Sequence, residues 1–259
     1  MKAVIFCGGF GSRLSEHTKN IPKPLVPLGS KPILLELIET LNAGGVEDFY
    51  LALGYKAHEF KNYFRNMREN NSDIKIDFKS GEVSFYDYKP LAWRVHLIDT
   101  GYNTMTGGRL KRISSFIGDD DNFIVTYGDG LANVNAQALM DYHIAQNAEV
   151  TITAVRPDAR FGRLKVEKNK VKDFTEKQRL AEGWINGGFM VVNKSFINRI
   201  SGDETVLEEE PLSSCARDGR MSARFHSGFW QCMDTKRDHE MLEKIVNNSS
   251  KVPWKTDLV

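Results

Sequence analysis

The stretch KAVIFC, residues 2–7, is apolar from Ala3 onward and then breaks into glycine at Gly8, Gly9 and Gly11. A strand with one wet face alternates apolar and polar residues, whereas an unbroken apolar run needs cover on both faces. Helices packed on both sides of a parallel sheet supply that cover. The pattern repeats along the chain. VEDFYLALGY, NFIVTYGDG and EVTITAV read as further buried strands, and KPILLELIETLNAGG, HEFKNYFRNM and NVNAQALMDYHIAQN read as helices between them. In the first of these helices Ile33, Leu34, Leu37, Ile38 and Leu41 form one stripe, Pro32 sits near the first position, and Gly44 and Gly45 end it. The expected fold is α/β: a Rossmann-like, mostly parallel sheet with helices on both faces.

Two regions break this rhythm. Within residues 73–99, DIKIDF, VSFYDYK and WRVHLID alternate apolar and polar positions, which predicts short antiparallel strands outside the main sheet. Phe78, Phe85, Tyr86, Tyr88 and Trp93 in this insertion form either a satellite core or an interface. RLKVEKNKVKDFTEK predicts a hairpin turning at Lys168 and Asn169. The last third predicts a strand at INGGFMVV, an acidic helix over 207–217, a strand at SARFHSGFW and a helix from about 236 to 246. There is no repeat and no linker-like composition, so residues 1–259 read as one domain with insertions.

The 259 residues carry a formal net charge of +1, which lacks the basic surplus of a nucleic-acid binder. No apolar window approaches membrane-spanning length, and the first residues run straight into a strand without a cleavage site. Cys7, Cys215 and Cys232 are few and widely spaced, which argues against a zinc site or a disulfide framework. A reducing cytoplasm is the expected compartment.

The glycine turn admits a local reading, since glycine supplies positive φ at no steric cost. It matches neither the Walker loop nor the dinucleotide fingerprint, because Leu14 stands where the latter needs its last glycine. Exposed backbone donors at the end of a parallel strand still suit an anion, and Arg13 and Lys23 add charge. Lys23 lies between Pro22 and Pro24, which stiffen the backbone around it. Asp129, between Gly128 and Gly130 after a buried strand, suits either an Asx-turn or a metal-bound phosphate. Asp234 suits either a second metal carboxylate or the N-cap of the last helix. The acidic run Glu208, Glu209 and Glu210 reads as a solvated helix face. No Gly-x-Ser-x-Gly elbow and no metal-like histidine spacing is present.

With these positions in hand, the chain resembles the sugar-phosphate nucleotidyltransferases. Gly8-Gly9-Phe10-Gly11-Ser12-Arg13-Leu14, followed by Lys23-Pro24, is similar to their glycine-rich signature G-G-x-G-[ST]-R-L and its lysine. DTGYNTMTGGRLKR, YGDG, FGRL, FTEK, INGGF and FWQCMDT follow in the family's order along nearly the whole chain. The first and last of these are narrower, and resemble the glucose-1-phosphate cytidylyltransferases. The chain departs from that pattern with Cys7 for alanine, Ser12 for threonine, Arg163 for a small residue and Gln178 for proline.

The resemblance implies the nucleotidyltransferase fold and transfer of a cytidylyl group from CTP to glucose 1-phosphate. It implies that Gly8, Gly9, Gly11, Ser12, Arg13, Lys23, Arg109 and Gly128 bind the nucleotide, and that Arg13, Lys23 and Lys177 are catalytic. Glu176, Lys177, Asn186 and Gly187 would meet the sugar phosphate, and Asp129 and Asp234 would hold Mg²⁺. It also implies a homo-oligomer. Gln178 and Arg163 bear on the acceptor side. The competing readings are the same chemistry with UTP, dTTP or another acceptor, and a non-catalytic nucleotide-binding regulator. A regulator should have lost Arg13, Lys23, Asp129, Lys177 or Asp234, and all five are present.

Overall fold

The computed structural model describes residues 1–9, 18, 21–87, 89–157, 163–167, 170–175 and 183–259. The chain begins with β1 (Lys2–Phe6), α1 (Ile33–Ala43), β2 (Asp48–Leu53) and α2 (Ala57–Arg65). It continues with β3 (Asp73–Asp77), β4 (Glu82–Tyr86), β5 (Arg94–Asp99) and α3 (Thr106–Ile117). β6 (Asn122–Tyr127), β7 (Gly130–Ala132), α4 (Ala136–Gln146) and β8 (Val150–Val155) follow. Then come β9 (Arg163–Glu167), β10 (Lys170–Thr175), β11 (Ile185–Asn193) and α5 (Glu210–Arg217). The chain closes with β12 (Met221–His226), β13 (Trp230–Cys232) and α6 (Lys236–Asn248).

The main sheet has the order β12-β8-β11-β6-β1-β2-β5. β11 is antiparallel to both of its neighbours, and the other pairings are parallel. This is the mostly parallel sheet that the apolar runs predict. Ala3, Ile5 and Cys7 face one core, with α1, Phe60 and Trp254. Val4 and Phe6 face the other, with Ile113, Phe123 and Phe196. The stripe Ile33, Leu34, Leu37, Ile38 and Leu41 is completely buried, as expected. Burial of each such side chain contributes roughly 1.5–3 kcal/mol.

Three local expectations change, and one helix appears where none was expected. WRVHLID is not outside the sheet: β5 pairs in parallel with β2, with Asp48 opposite Arg94 and Leu53 opposite Asp99. Its alternating pattern arises because it is the sheet's edge strand, with partly wet faces. The extruded antiparallel pair is β3 and β4 alone. SARFHSGFW splits in two, and β13 leaves the main sheet to pair with β7. The acidic helix begins at Glu210 rather than 207, where Pro211 suits its first turn. Finally, TGGRLKR forms α3, whose paired glycines lower helix propensity and hide it from pattern reading. The expected hairpin forms as β9 and β10, with its turn outside the described residues.

Candidate active site

β1 and β6 run side by side, and the chain leaves both at the same edge. There the Gly128 amide donates to the Phe6 carbonyl at 3.0 Å. A cavity of about 540 Å³ opens at this edge. Gly8, Gly9, Lys23, Arg109, Gly128, Asp129 and Asp234, all expected site residues, line it.

The glycines have separate reasons. A Cβ on Gly8 would run into the Arg109 guanidinium, and one on Gly128 would press on Pro24 and the Cys7 sulfur. Gly9 meets no neighbour within 4 Å, so its lack of a side chain leaves that part of the turn open. Arg109 is buried, and its guanidinium donates to the carbonyls of Gly8, Leu53, Gly101 and Tyr102 and to the Thr100 hydroxyl. Burial lowers its pKa from the usual arginine value. It therefore fixes the carbonyl of the glycine turn to the ends of β2 and β5.

Lys23 starts a short 3-10 turn, and Pro22 enters it in extended conformation. Its ammonium donates to Asp129 Oδ2 at 2.5 Å and to Asp234 Oδ1 at 2.6 Å. Burial opposes the charge, but the attraction of Asp129 and its hydrogen bond, with those of Asp234, outweigh burial and hold the lysine pKa above its usual value. The β7–β13 ribbon explains how two carboxylates 105 residues apart meet. Cys232 pairs with Gly130, and the Met233 amide donates to the Asp129 carbonyl at 2.8 Å. Asp234 is not the N-cap of α6. Thr235 is, in a reciprocal capping box with Asp238. The Asp234 side chain instead accepts from Lys23 and, at 3.9 Å, from the Cys232 thiol. Both carboxylates are about a quarter exposed, so they can be reached from the cavity.

Two hard carboxylates opening on one cavity suit Mg²⁺, which is held by one or two protein carboxylates together with phosphates. Among the described residues no group of three or more His, Cys, Asp or Glu gathers elsewhere as an ion cage.

Asn186 and Gly187 lie on β11, outside the cavity lining. Asn186 Oδ1 accepts from the Gly188 amide at 2.8 Å, and the Gly187 carbonyl accepts from the Trp230 indole at 2.7 Å. Gly11, Ser12, Arg13, Glu176, Lys177 and Gln178 lie outside the described residues.

Pattern reading passes over one whole wall. Tyr102, Thr104, Met105, Thr106 and Glu204 line it. Glu208 is exposed, as expected, but it precedes α5 and accepts from the Thr106 hydroxyl at 2.6 Å and from the Tyr127 hydroxyl. Burial, then Glu208, raises the Tyr127 pKa. Such a pairing across 81 residues leaves no mark on local periodicity.

A nucleotidyl transferase family profile matches residues 2–217. A curated glucose-1-phosphate cytidylyltransferase of Salmonella typhi is 43% identical over 256 residues, covering 99% of both chains. The crystal structure of HddC from Yersinia pseudotuberculosis, complexed with GMP-PN, superposes with a TM-score of 0.67 at 24% identity, covering 94% of this chain and 98% of that one. A UDP-glucose pyrophosphorylase from Acinetobacter baumanii gives a TM-score of 0.67 at 15% identity, covering 97% and 95%. The two structures speak for the fold alone, whereas the profile and the full-length identity place this chain in the nucleotidyl transferase family.

Proposed function

We propose that this chain is a glucose-1-phosphate cytidylyltransferase, joining CTP and α-D-glucose 1-phosphate to give CDP-glucose and pyrophosphate. The full-length identity to the Salmonella typhi enzyme supports the choice of substrates. The observation that carries the chemistry is the convergence of Lys23, Asp129 and Asp234 at one cavity.

The physical demand is electrostatic. A phosphate monoester has a second pKa near ~6, so near neutral pH it is already largely a dianion and needs no general base. The obstacle is its approach to a triphosphate. Two unit charges ~4 Å apart repel by about 4 kcal/mol at an effective dielectric near 20. Fixed cations at the α-phosphate remove that repulsion without reorganising. Lys23, nearly buried and stiffened by two prolines, is such a cation. A sugar phosphate oxygen attacks the α-phosphorus, the bond to the β-phosphate oxygen breaks, and pyrophosphate leaves.

Asp129 and Asp234 are the residues that would hold Mg²⁺, which when bound supplies charge neutralisation at the phosphates. Arg13 is assigned to the leaving pyrophosphate, and Lys177 with Glu176 to the sugar phosphate, on family resemblance. The acceptor rests on the same ground, and the cytoplasmic location on the few, widely spaced cysteines. Among the described residues no helix is long and apolar enough to cross a membrane.

A homo-oligomer is also proposed. The β3–β4 hairpin exposes Ile74, Ile76, Phe78, Val83 and Tyr86, with Phe78 91% exposed, and the occupant suited to this surface is a second copy of the chain. A monomer in multi-angle light scattering would remove this part of the reading.

The test of the chemistry is pyrophosphate release with Mg²⁺, glucose 1-phosphate and each of CTP, UTP, dTTP, ATP and GTP. Release with CTP alone is the expected result. Tight CTP binding with no release from any acceptor would replace the enzyme with a regulator.

A further inference from the structure

We infer that Glu204 determines base choice, its carboxylate accepting a hydrogen bond from the exocyclic amine of cytosine. This rests on the reading that the cavity takes a nucleoside triphosphate.

The inference starts from how heavily residues 200–208 are tied down. Residues 105–112 bond to Ile200, Ser201, Asp203, Thr205, Leu207 and Glu208 of this segment. The Met105 amide donates to the Asp203 carbonyl at 2.8 Å, and the Gly107 amide to the Thr205 carbonyl at 2.9 Å. Arg112 grips the Asp203 carboxylate with two bonds, at 2.9 and 2.6 Å. Lys111 donates to the carbonyls of Ile200 and Ser201. The Thr106 hydroxyl accepts from the Leu207 amide and donates to Glu208. Gly107 and Gly108 have no side chain because the segment lies on them. A Cβ on Gly108 would stand 2.6 Å from the Asp203 Cα, and one on Gly107 2.7 Å from the Thr205 carbonyl oxygen.

Glu204 sits between the two clamped residues. Asp203 is paired with Arg112, and Glu208 with Thr106 and Tyr127. Glu204 is exposed and lines the cavity, and among the described residues its carboxylate has no hydrogen bond or ion pair. The backbone is thus fixed around one exposed acid at the cavity wall.

An ionised carboxylate only accepts hydrogen bonds. No cation pairs with it among the described residues, so the triphosphate belongs at the Lys23 end and the rest of the nucleotide at this one. Tyr102 and Met105, both lining the cavity and both more than two-fifths exposed, offer apolar surface to the face of a planar ring. Glu204, beside Met105, then meets the ring's edge. Cytosine presents an amine donor there, whereas uracil presents a carbonyl acceptor at the same position. Two acceptors facing each other reject the wrong base, because neither finds a donor.

The test compares wild type with Glu204→Gln, whose amide can serve either base. kcat/KM would be measured for CTP, UTP and dCTP at saturating glucose 1-phosphate and Mg²⁺, with equilibrium dialysis of CTP and UTP alongside. The expected result is a CTP-over-UTP preference reduced by at least ~10-fold, carried by KM, with melting temperature unchanged. An unchanged preference would overturn the inference, including the case where CTP and UTP fall equally. So would a loss confined to the CTP-over-dCTP ratio, which would place the carboxylate on the ribose. If wild type released no pyrophosphate, the transferase reading would fail, while the dialysis ratio would still decide the role of Glu204.

Discussion

At one end of the cavity Lys23 stands 2.5 Å from Asp129 and 2.6 Å from Asp234; at the other, Glu204 lines the wall with no partner among the described residues. The first end brings its charges from three distant places in sequence and pairs one cation with two carboxylates. The second spends its polar groups on backbone, fixing a segment so that one charge is left over. A paired cluster is stable while empty and holds its charges in place for the phosphates. An unpaired acid on a clamped segment is ready but contributes nothing until a donor reaches it. Reaction and recognition therefore call for opposite arrangements of charge, and this fold keeps them at opposite walls.

The comparison breaks most visibly at Lys23. Lys23→Ala should lower kcat by ~10²–10³-fold, the usual loss when one preorganised donor to a transition state is removed. The fold should survive, since the main sheet and both cores do not depend on this side chain. Pyrophosphate release alongside circular dichroism checks both halves, and near-wild-type kcat would remove Lys23 from the chemistry. Asp234→Asn comes next. It should raise the Mg²⁺ concentration for half-maximal rate at least ~10-fold, read by metal titration at saturating substrates. An unchanged titration would mean that the carboxylate serves only to hold Lys23.

At the other wall the effects should be smaller and of a different kind. Gly108→Ala forces a Cβ against the Asp203 backbone, and overpacking of this sort costs about 1–3 kcal/mol. It should raise KM for the nucleotide several-fold with kcat nearly kept. A drop in kcat with KM unchanged would mean that the segment serves the reacting atoms instead.

The same contrast decides what could be read in the sequence. The sheet was legible because burial on both faces writes itself into runs such as KAVIFC and NFIVTY. Lys23, Asp129 and Asp234 were legible because charged residues between prolines, between glycines or at a strand end are locally odd. Their meeting was not, since it depends on the β7–β13 ribbon, and SARFHSGFW gives no sign of splitting there. The Glu204 wall was hidden for a related reason. Its fixing bonds are mostly to backbone, and a carbonyl acceptor is the same in every residue. Only Gly107 and Gly108 mark it, and glycine alone does not say what lies against it. β5 was misplaced because an edge strand of a parallel sheet shows the same alternation as a free hairpin.

The smallest effect concerns pH. Asp129 and Asp234 hold the Lys23 pKa above the ordinary lysine value. A group raised on folding stabilises the folded state fully below its unfolded pKa and loses that contribution as pH rises through the folded value. Lys23 therefore stays charged across pH 6–10 and should impose no alkaline limb on kcat in that window. The sugar phosphate should impose an acid limb near ~6, where its dianion is protonated. A profile that rises through pH ~6 and then stays level to pH 10 fits a site that works by fixed charge. A bell with a second limb near pH 8 would mean that a protein group with an ordinary pKa takes part, and the end of the cavity read here as purely electrostatic would need a general acid.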